Sequence, residues 1–340
     1  MNRIAVTFLS FICFVQISCA TTPMSGPLVT LEATVINELG QPIEGAEIIG
    51  IFRTVSGKEI IERSLTDEEG RASISENTPF STYMRVEKSG YYQSVIDRID
   101  IQEPSGYGEL TPRSYSFNIV LREKINPQTL VAKRGEFKIP VKNEWVGYDL
   151  ETSDWVKPYG TGESQDVLFR YENEFLGLRI SESNLERARL LNSSGPIPWT
   201  EEREKHIYGN WSGRLEIKFA GEDEGIVKVV DGYLEHSDMK MPHLAPEQGY
   251  QSSASWDGSM PSKNLDLYQG YFLRLRVVKR GDEIIQANYA KLNEELNFDP
   301  RGTVSFSYYF NPKINDRNLE FDTSKNLLKN LSSKQRVRLP

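Results

Sequence analysis

Apolar and polar residues alternate in short runs along the first third of the chain. In the first run, which contains Leu31, Ala33 and Val35, every second residue is apolar, as is typical of a strand with one buried face. Six further runs follow, separated by turn-forming or hydrophilic residues: 48–52, 60–65, 72–74, 83–86, 95–101 and 115–121. Short strands at intervals of about ten residues predict a seven-stranded antiparallel β-sandwich.

Four glycines mark turns around these runs. Gly40 lies in a Gly-Gln-Pro turn, Gly45 precedes the second run, Gly70 ends an acidic turn that begins at Asp67, and Gly90 precedes a pair of tyrosines. Glycine adopts positive φ without a steric penalty, so it suits such turns. We therefore interpret all four as structural turn residues and not as ligand-binding residues.

Three segments of this region carry a family resemblance. Residues 35–46, 66–72 and 86–91 read VINELGQPIEGA, TDEEGRA and VEKSGY. Together they resemble the carboxypeptidase regulatory-like domain, and the resemblance spans residues 28–122. It implies a transthyretin-like sandwich. In that family the module accompanies a zinc carboxypeptidase, but it also occurs on bacterial surface proteins without a peptidase.

The resemblance does not extend to the peptidase itself. Its zinc site needs a His-x-x-Glu pair, whereas the residues three positions after the three histidines are Gly209, Met239 and Pro246. The last two histidines lie close together with Asp238 between them, but nothing in the pattern makes three ligands converge, as zinc requires. We expect no catalytic residue, no cofactor and no metal site.

The N-terminal segment, residues 1–19, predicts a signal peptide. Its apolar run, 4–17, is short for a membrane span and is followed by polar residues. Two cleavage patterns compete at its end. A small-x-small site ending at Ala20 suits ordinary signal peptidase. The sequence ISC ending at Cys19 resembles a bacterial lipobox, in which the cysteine becomes lipidated, although Gln16 stands where a lipobox prefers an aliphatic residue.

Either pattern predicts export to the periplasm or the cell surface. Residues 20–27 then form a tether before the sandwich. The remaining cysteine, Cys13, lies inside the signal, so the mature chain has no pair that could form a disulfide. A membrane would be reached only through a lipidated Cys19.

A shift in composition divides the rest of the chain. All five tryptophans lie after residue 144. We predict a linker at residues 123–130 and a second, β-rich domain at 131–340. Alternating runs there predict two hairpins, 211–219 with 226–230 and 271–278 with 283–290, and a final strand at 303–310.

Between one and three short helices are expected in this second domain. Two are predicted at 183–191 and 200–208, the second with Thr200 as its N-cap because acidic residues follow it. A third is predicted near 325–331, at the end of a loop that packs on the domain. The fold class is therefore all-β.

The charge of the chain restricts its partners. The formal net charge is -8, and no basic cluster with interleaved aromatic residues offsets it. A nucleic-acid-binding protein needs a basic surface, so nucleic acid is excluded as a partner. The expected partner is an unknown protein or glycan of the cell envelope.

Three function hypotheses remain. The favoured one is a non-catalytic structural or interaction protein of the envelope, in which the first sandwich is a spacer. The alternative is a carbohydrate-binding protein, with Trp155, Tyr159 and Trp256 as candidates for stacking on sugar rings. Core packing is the more common role of such aromatic residues. The third hypothesis is an enzyme with an unrecognised site in the second domain.

Overall fold

The computed structural model describes residues 26–101, 111–192, 195, 197–260, 269–293 and 296–340. The predicted signal peptide, Cys19 and nearly all of the tether lie outside these residues. The elements are β1 (Leu28–Asn37), β2 (Glu47–Arg53), β3 (Glu59–Leu65), β4 (Arg71–Asn77), β5 (Thr82–Glu87), β6 (Ser94–Ile99), β7 (Arg113–Leu121), β8 (Gln128–Lys138), β9 (Val146–Asp149), β10 (Asp154–Trp155), β11 (Val167–Leu178), α1 (Glu182–Asn192), α2 (Glu201–Tyr208), β12 (Gly209–Lys218), β13 (Gly225–Lys228), β14 (Ser253–Met260), β15 (Tyr271–Arg280), β16 (Glu283–Leu292), β17 (Asn297–Asp299), β18 (Thr303–Asn311) and β19 (Phe321–Asn326). The all-β fold class is confirmed.

The seven predicted strands of the first domain form a two-layer sandwich. One sheet has the order β4-β1-β7 and the other the order β3-β2-β5-β6. Buried aliphatic residues from both sheets fill the space between them, among them Leu31, Ile48 and Met84. One pair differs from the prediction, because β1 and β7 are parallel. The chain reaches β7 from the opposite sheet by a long connection and not by a hairpin, and such a connection permits a parallel pair.

The four predicted turn glycines all have positive φ, between 67° and 86°. They differ in their surroundings. An added Cβ would meet nothing within 4 Å at Gly40 or Gly90, and only the end of a lysine side chain at Gly45. At Gly70 it would lie 2.4 Å from the carbonyl oxygen of Val35. Gly70 therefore combines a left-handed backbone with a close approach to β1.

The second domain is a larger sandwich. Its five-stranded sheet has the order β10-β9-β11-β12-β14, and it faces a sheet with the order β13-β15-β16-β18-β8-β19, in which β17 also pairs with β18. The core between them is rich in aromatic residues, including Tyr148, Phe169, Phe306 and Tyr308. Trp155 belongs to this core and Trp256 packs against it.

A second apolar cluster covers the opposite face of the larger sheet. Strand residues such as Phe272, Tyr289 and Tyr309 pack there against Met241 and Leu319 from irregular segments. Part of the larger sheet is thus buried on both faces, and the second domain has a third layer without regular structure. Within the described residues, no helix is long and apolar enough to cross a membrane.

The predicted hairpin between 271–278 and 283–290 is present as β15 and β16. Both helices predicted between 183 and 208 form, as α1 and α2, and the Thr200 side chain accepts a hydrogen bond from the amide of Arg203. The predicted hairpin between 211–219 and 226–230 is wrong. The strands exist, but β12 pairs with β11 and β14, whereas β13 pairs with β15 in the other sheet.

The helix predicted near 325–331 is also wrong. Residues 327–331 form no helix, and residues 325 and 326 belong to β19, which runs parallel to the start of β8. The Asn326 side chain holds it in place, since its amide donates to the carbonyl of Ala132 at 2.6 Å and its oxygen accepts from the amide of Ala132 at 3.2 Å. A tertiary partner thus overrides the weak local preference for a helix.

Candidate functional site

The aromatic residues considered for sugar stacking do not form a binding surface. Trp155 is only 9% exposed and packs edge-on against Tyr148 and Phe169, with ring centroids 5.1 and 5.7 Å apart. A buried ring has no free face, so a stacking role for Trp155 is wrong. Tyr159, four residues later, is 43% exposed. Because the neighbouring candidate Trp155 is buried, Tyr159 has no second stacking ring beside it.

Trp256 lies at the other side of the same sheet. Trp155 is on β10 and Trp256 on β14, which are the two edges of the five-stranded sheet. Strands lie about 4.8 Å apart, so the two edge strands are about 19 Å from each other. Trp256 is half-buried and meets Tyr271 edge-on at 5.9 Å. Core packing therefore accounts for both tryptophans.

Three carboxylates converge near the Trp155 loop, but they are already occupied. Arg276 lies at a bulge in β15 with a φ of 53°, and its guanidinium donates to Asp166 at 2.7 Å and Asp149 at 3.3 Å and also to Glu151. Asp149 accepts further hydrogen bonds from backbone amides of the loop that contains Glu163. Burial raises the pKa of Asp166, while Arg276 opposes that shift. This network ties the two sheets together.

The histidines do not form a metal site. In the part of the chain that the structure describes, no group of three His, Cys, Asp or Glu side chains is placed to hold a metal ion. His206 and His236 are exposed. The Nε2 atom of His243 lies 2.7 Å from the carbonyl oxygen of Glu123 and 4.0 Å from the carboxylate of Glu320. His243 thus belongs to the junction between the two domains.

The junction between the two domains contains charged side chains that are completely buried. Arg122 follows β7 directly and is completely buried. Its guanidinium donates to Glu38 in the first domain at 3.0 Å, and to the carbonyl oxygens of Met239 and Gly232 in the second at 3.1 and 2.6 Å. Burial lowers the pKa of Arg122, although Glu38 opposes the shift. One side chain therefore joins both domains.

Glu320 makes the reciprocal connection from the second domain, and it is also completely buried. Its carboxylate accepts hydrogen bonds from the Tyr92 hydroxyl at 2.8 Å and from the amides of Ile125 and Asn126 at 3.1 and 2.6 Å. Burial and this hydrogen bond raise the pKa of Tyr92. Glu320 thus fixes both the first domain and the connecting segment.

The sheet of the first domain continues into the second. Ser237 forms an antiparallel bridge with Ser94 on β6, the edge strand. The amide of Val95 donates to the carbonyl of His236 at 2.7 Å, and the amide of Asp238 donates to the carbonyl of Gln93 at 2.9 Å. The connecting segment is also bonded, with the amide of Lys124 donating to Gly90. Hydrogen bonds therefore hold the connecting segment in place. Strand β8 begins at Gln128, inside the predicted linker.

A buried lysine lies on the face of the larger sheet that the irregular layer covers. Lys291 on β16 is completely buried, and its Nζ atom has no hydrogen-bond partner among the described residues. It lies over the ring of Tyr309, 4.6 Å from the centroid. Burial lowers its pKa to about 7, and the charge of Arg122 contributes to the shift. The charge of Glu320 opposes the shift, but within the described residues Lys291 forms no hydrogen bond through its Nζ atom.

Sequence reasoning missed all of these junction residues. Arg122 directly follows the alternating run that ends at Leu121, so in the sequence it resembles an ordinary polar residue at the end of a strand. Lys291 was the clearest available signal, because it is the only charged residue between Glu283 and Glu294. Its position at the end of an alternating strand would have pointed to the covered face of a sheet.

Comparisons with known proteins give no family for this chain. A scan against protein-family models finds no match, and a search of curated proteins finds no relative. Similar solved structures include 3-chlorocatechol 1,2-dioxygenase from Rhodococcus opacus 1CP, with 13% identity, a TM-score of 0.25 and coverage of 29% of this chain and 61% of that one. The chain spans 55% and 57% of two other dioxygenases.

Two further structures match over more of the chain. A proposed carbohydrate-binding protein from Bacteroides uniformis has 8% identity and a TM-score of 0.20, with coverage of 86% of this chain and 100% of that one. The shaft pilin SpaA from Lactobacillus rhamnosus GG has 7% identity and a TM-score of 0.19, with coverage of 77% and 92%. Scores this low carry no argument about function.

Proposed function

We propose that this chain is a non-catalytic, exported protein of the cell envelope. In this proposal the first sandwich, a carboxypeptidase regulatory-like module, is a rigid spacer that holds the second domain at a fixed orientation. The observation that carries the proposal is the junction, where Arg122 and Glu320 are both buried. Arg122 bonds to groups of both domains, and Glu320, from the second domain, bonds to Tyr92 in the first and to the connecting segment. Domains joined only by a flexible linker swivel by default. A buried, hydrogen-bonded joint favours a fixed arrangement.

Rigidity is tested by a distance measurement between the domains. We expect spin labels at Ser56→Cys and Ser252→Cys, in protein without residues 1–19, to give one narrow distance distribution. Both positions are exposed, one in each domain. Glu320→Ala should broaden the distribution, whereas Glu247→Ala should not, because Glu247 is 75% exposed and pairs only at the surface. A broad distribution in the unmodified protein would refute the spacer.

Export is tested in the native host. If Cys19 is lipidated, the protein should fractionate with membranes, and Cys19→Ala should release it while leaving it exported. Intact mass gives the mature N-terminus. Retention of Met1 would contradict export, and an N-terminus at Thr21 would contradict only the lipid anchor.

A second candidate function is polysaccharide binding. It is favoured by a cationic groove beside the C-terminal tail and not by the tryptophans, which serve the core. The groove lies in the second domain, which a spacer would present to the surroundings.

A further inference from the structure

A groove of about 880 Å³ lies between β8, β18 and the C-terminal tail. Its floor is the face of the larger sheet that points away from the sandwich core. Phe306 and Phe137 point into that core and are only 6% and 8% exposed. Between them, Arg134 lies opposite Ser307 and Glu136 opposite Ser305. The groove has the size of a ligand site, and its floor is polar.

Cationic residues stand on two sides of this groove. Arg134 belongs to β8, and Lys334 and Arg338 belong to the tail. Their side chains make no ion pair or hydrogen bond with a described residue. Other arginines of the domain are neutralised by carboxylates, such as Arg301 by Asp299 and Arg317 by Glu247. Glu136 is the one described carboxylate that lines the groove, so positive charge is in excess there.

A fourth cation, Lys133, is directed elsewhere. Its ammonium lies over the ring of Phe137 and donates to the carbonyl of Ser153 at 3.3 Å. Burial lowers its pKa. Three cations therefore remain available to a ligand, in a protein whose formal net charge is -8.

The wall formed by the tail is fixed in place. The amide of Arg134 donates to the carbonyl of Gln335 at 3.0 Å, and the hydroxyl of Tyr309 donates to the carbonyl of Leu339 at 2.8 Å. Val337 is buried in the apolar cluster on this face. The cations on either side of Val337 are thus presented in one arrangement, which lowers the entropic cost of binding.

The lining residues favour one class of ligand. Apart from the cations it offers hydroxyls and amides, which both donate and accept hydrogen bonds: Ser305, Ser307, Ser332, Ser333, Asn297 and Gln335. An acidic peptide would add as a strand to β8, but the amide of Arg134 is already bonded to the tail. A single-stranded nucleic acid would need exposed aromatic rings, and both phenylalanines are buried.

We propose that this groove binds a polysaccharide that carries carboxylate groups. The three cations would meet the carboxylates, and the serines and amides would meet the sugar hydroxyls. The proposal rests on the proposed function in that it assumes an exported interaction protein. Its failure would leave the spacer intact, because the distance measurement between the domains does not depend on the groove.

Affinity electrophoresis tests the proposal with the purified protein. We expect polygalacturonate to retard the protein and neutral dextran to leave it unaffected. The double variant Lys334→Glu/Arg338→Glu should bind about tenfold more weakly or worse, because two attractive charges become repulsive. The control Lys58→Glu/Lys228→Glu makes the same change in net charge at two exposed positions away from the groove and should bind like the unmodified protein.

Four outcomes would overturn the proposal: no retardation by polygalacturonate, equal retardation by dextran, equal losses in the two double variants, or tighter binding of poly-glutamate than of polygalacturonate. The last would indicate an acidic protein as the partner. A fifth outcome, tighter binding of a poly(glycerol phosphate) than of polygalacturonate, would also overturn the proposal and would assign the groove to phosphate instead. Circular dichroism of each variant establishes that it is folded, so that each loss can be attributed to the changed charges.

Discussion

Each domain contains sheets that must bury one face, and the two domains do so in different ways. The first domain closes its turns locally, with glycines such as Gly40 and Gly70 between consecutive strands. The second covers part of its larger sheet on both faces, and its third layer consists of segments without regular structure. Local residues decide the turns of the first domain, although the pairing of β1 with β7 is long-range, whereas the covering layer of the second domain depends on contacts between residues far apart in sequence.

The difference matters at the junction, where the irregular layer of the second domain meets the edge of the first. Segment 236–238 extends the sheet at β6, and Glu320 reaches Tyr92. The stability of the simpler domain should therefore depend partly on the more complex one. Three substitutions test this comparison of the two domains, and they are given from the largest expected effect on stability to the smallest.

Glu320→Ala should have the largest effect. It would leave the Tyr92 hydroxyl and two backbone amides without an acceptor, and it would remove the carboxylate whose charge favours the protonated form of the buried Lys291. Each unsatisfied buried group costs about 1–3 kcal/mol, so we expect a loss of about 4 kcal/mol in the free energy of unfolding. Urea denaturation measures it.

The control for that measurement is Glu247→Ala, which should change the free energy of unfolding by less than about 0.5 kcal/mol. Equal urea midpoints for the two variants would show that Glu320 does not hold the domains together.

Lys291→Met should act in the opposite direction. The pKa of Lys291 is about 7 in the folded protein, below the value of about 10.4 in an unfolded chain. The unfolded state therefore binds more protons between these two values, and the stability of the unmodified protein should rise with pH across that interval. The penalty is complete below pH 7 and absent above the unfolded pKa.

Removing the lysine should therefore stabilise the protein at neutral pH by about 3 kcal/mol and abolish this part of the pH dependence. Thermal unfolding at several pH values between 6 and 10 measures both effects. An exposed lysine, in Lys58→Met, is the control. If Lys291→Met destabilises the protein at pH 7, Lys291 is partnered or solvated.

The smallest effect concerns the first domain. Gly70→Ala should cost about 2 kcal/mol, because the left-handed backbone costs about 1–2 kcal/mol and the contact with the Val35 carbonyl adds to it. Gly40→Ala has the same backbone cost, but its Cβ would meet nothing within 4 Å. The difference between the two urea midpoints isolates the close approach, and equal midpoints would exclude it. Glu69→Ala, at an exposed position, should change little.

Much of the first domain could be predicted from the sequence, because its strands alternate with period two and its turns depend on residues within the turn itself. The hairpin of β15 and β16 and the N-cap at Thr200 were predictable for the same reason. Each of these features is decided by a few consecutive residues.

Only the tertiary structure decided which sheet each strand joins and which of the exposed-looking side chains are buried. The alternation in β12 and β13 is real, but the turn between them carries the chain from one sheet to the other. Trp155 ends β10 and Tyr159 lies in the loop that follows, and packing against Tyr148 makes only the first a core residue. Arg122 and Glu320 are 198 positions apart, and each becomes a junction residue only because the folded chain brings the edge of one domain against the irregular layer of the other.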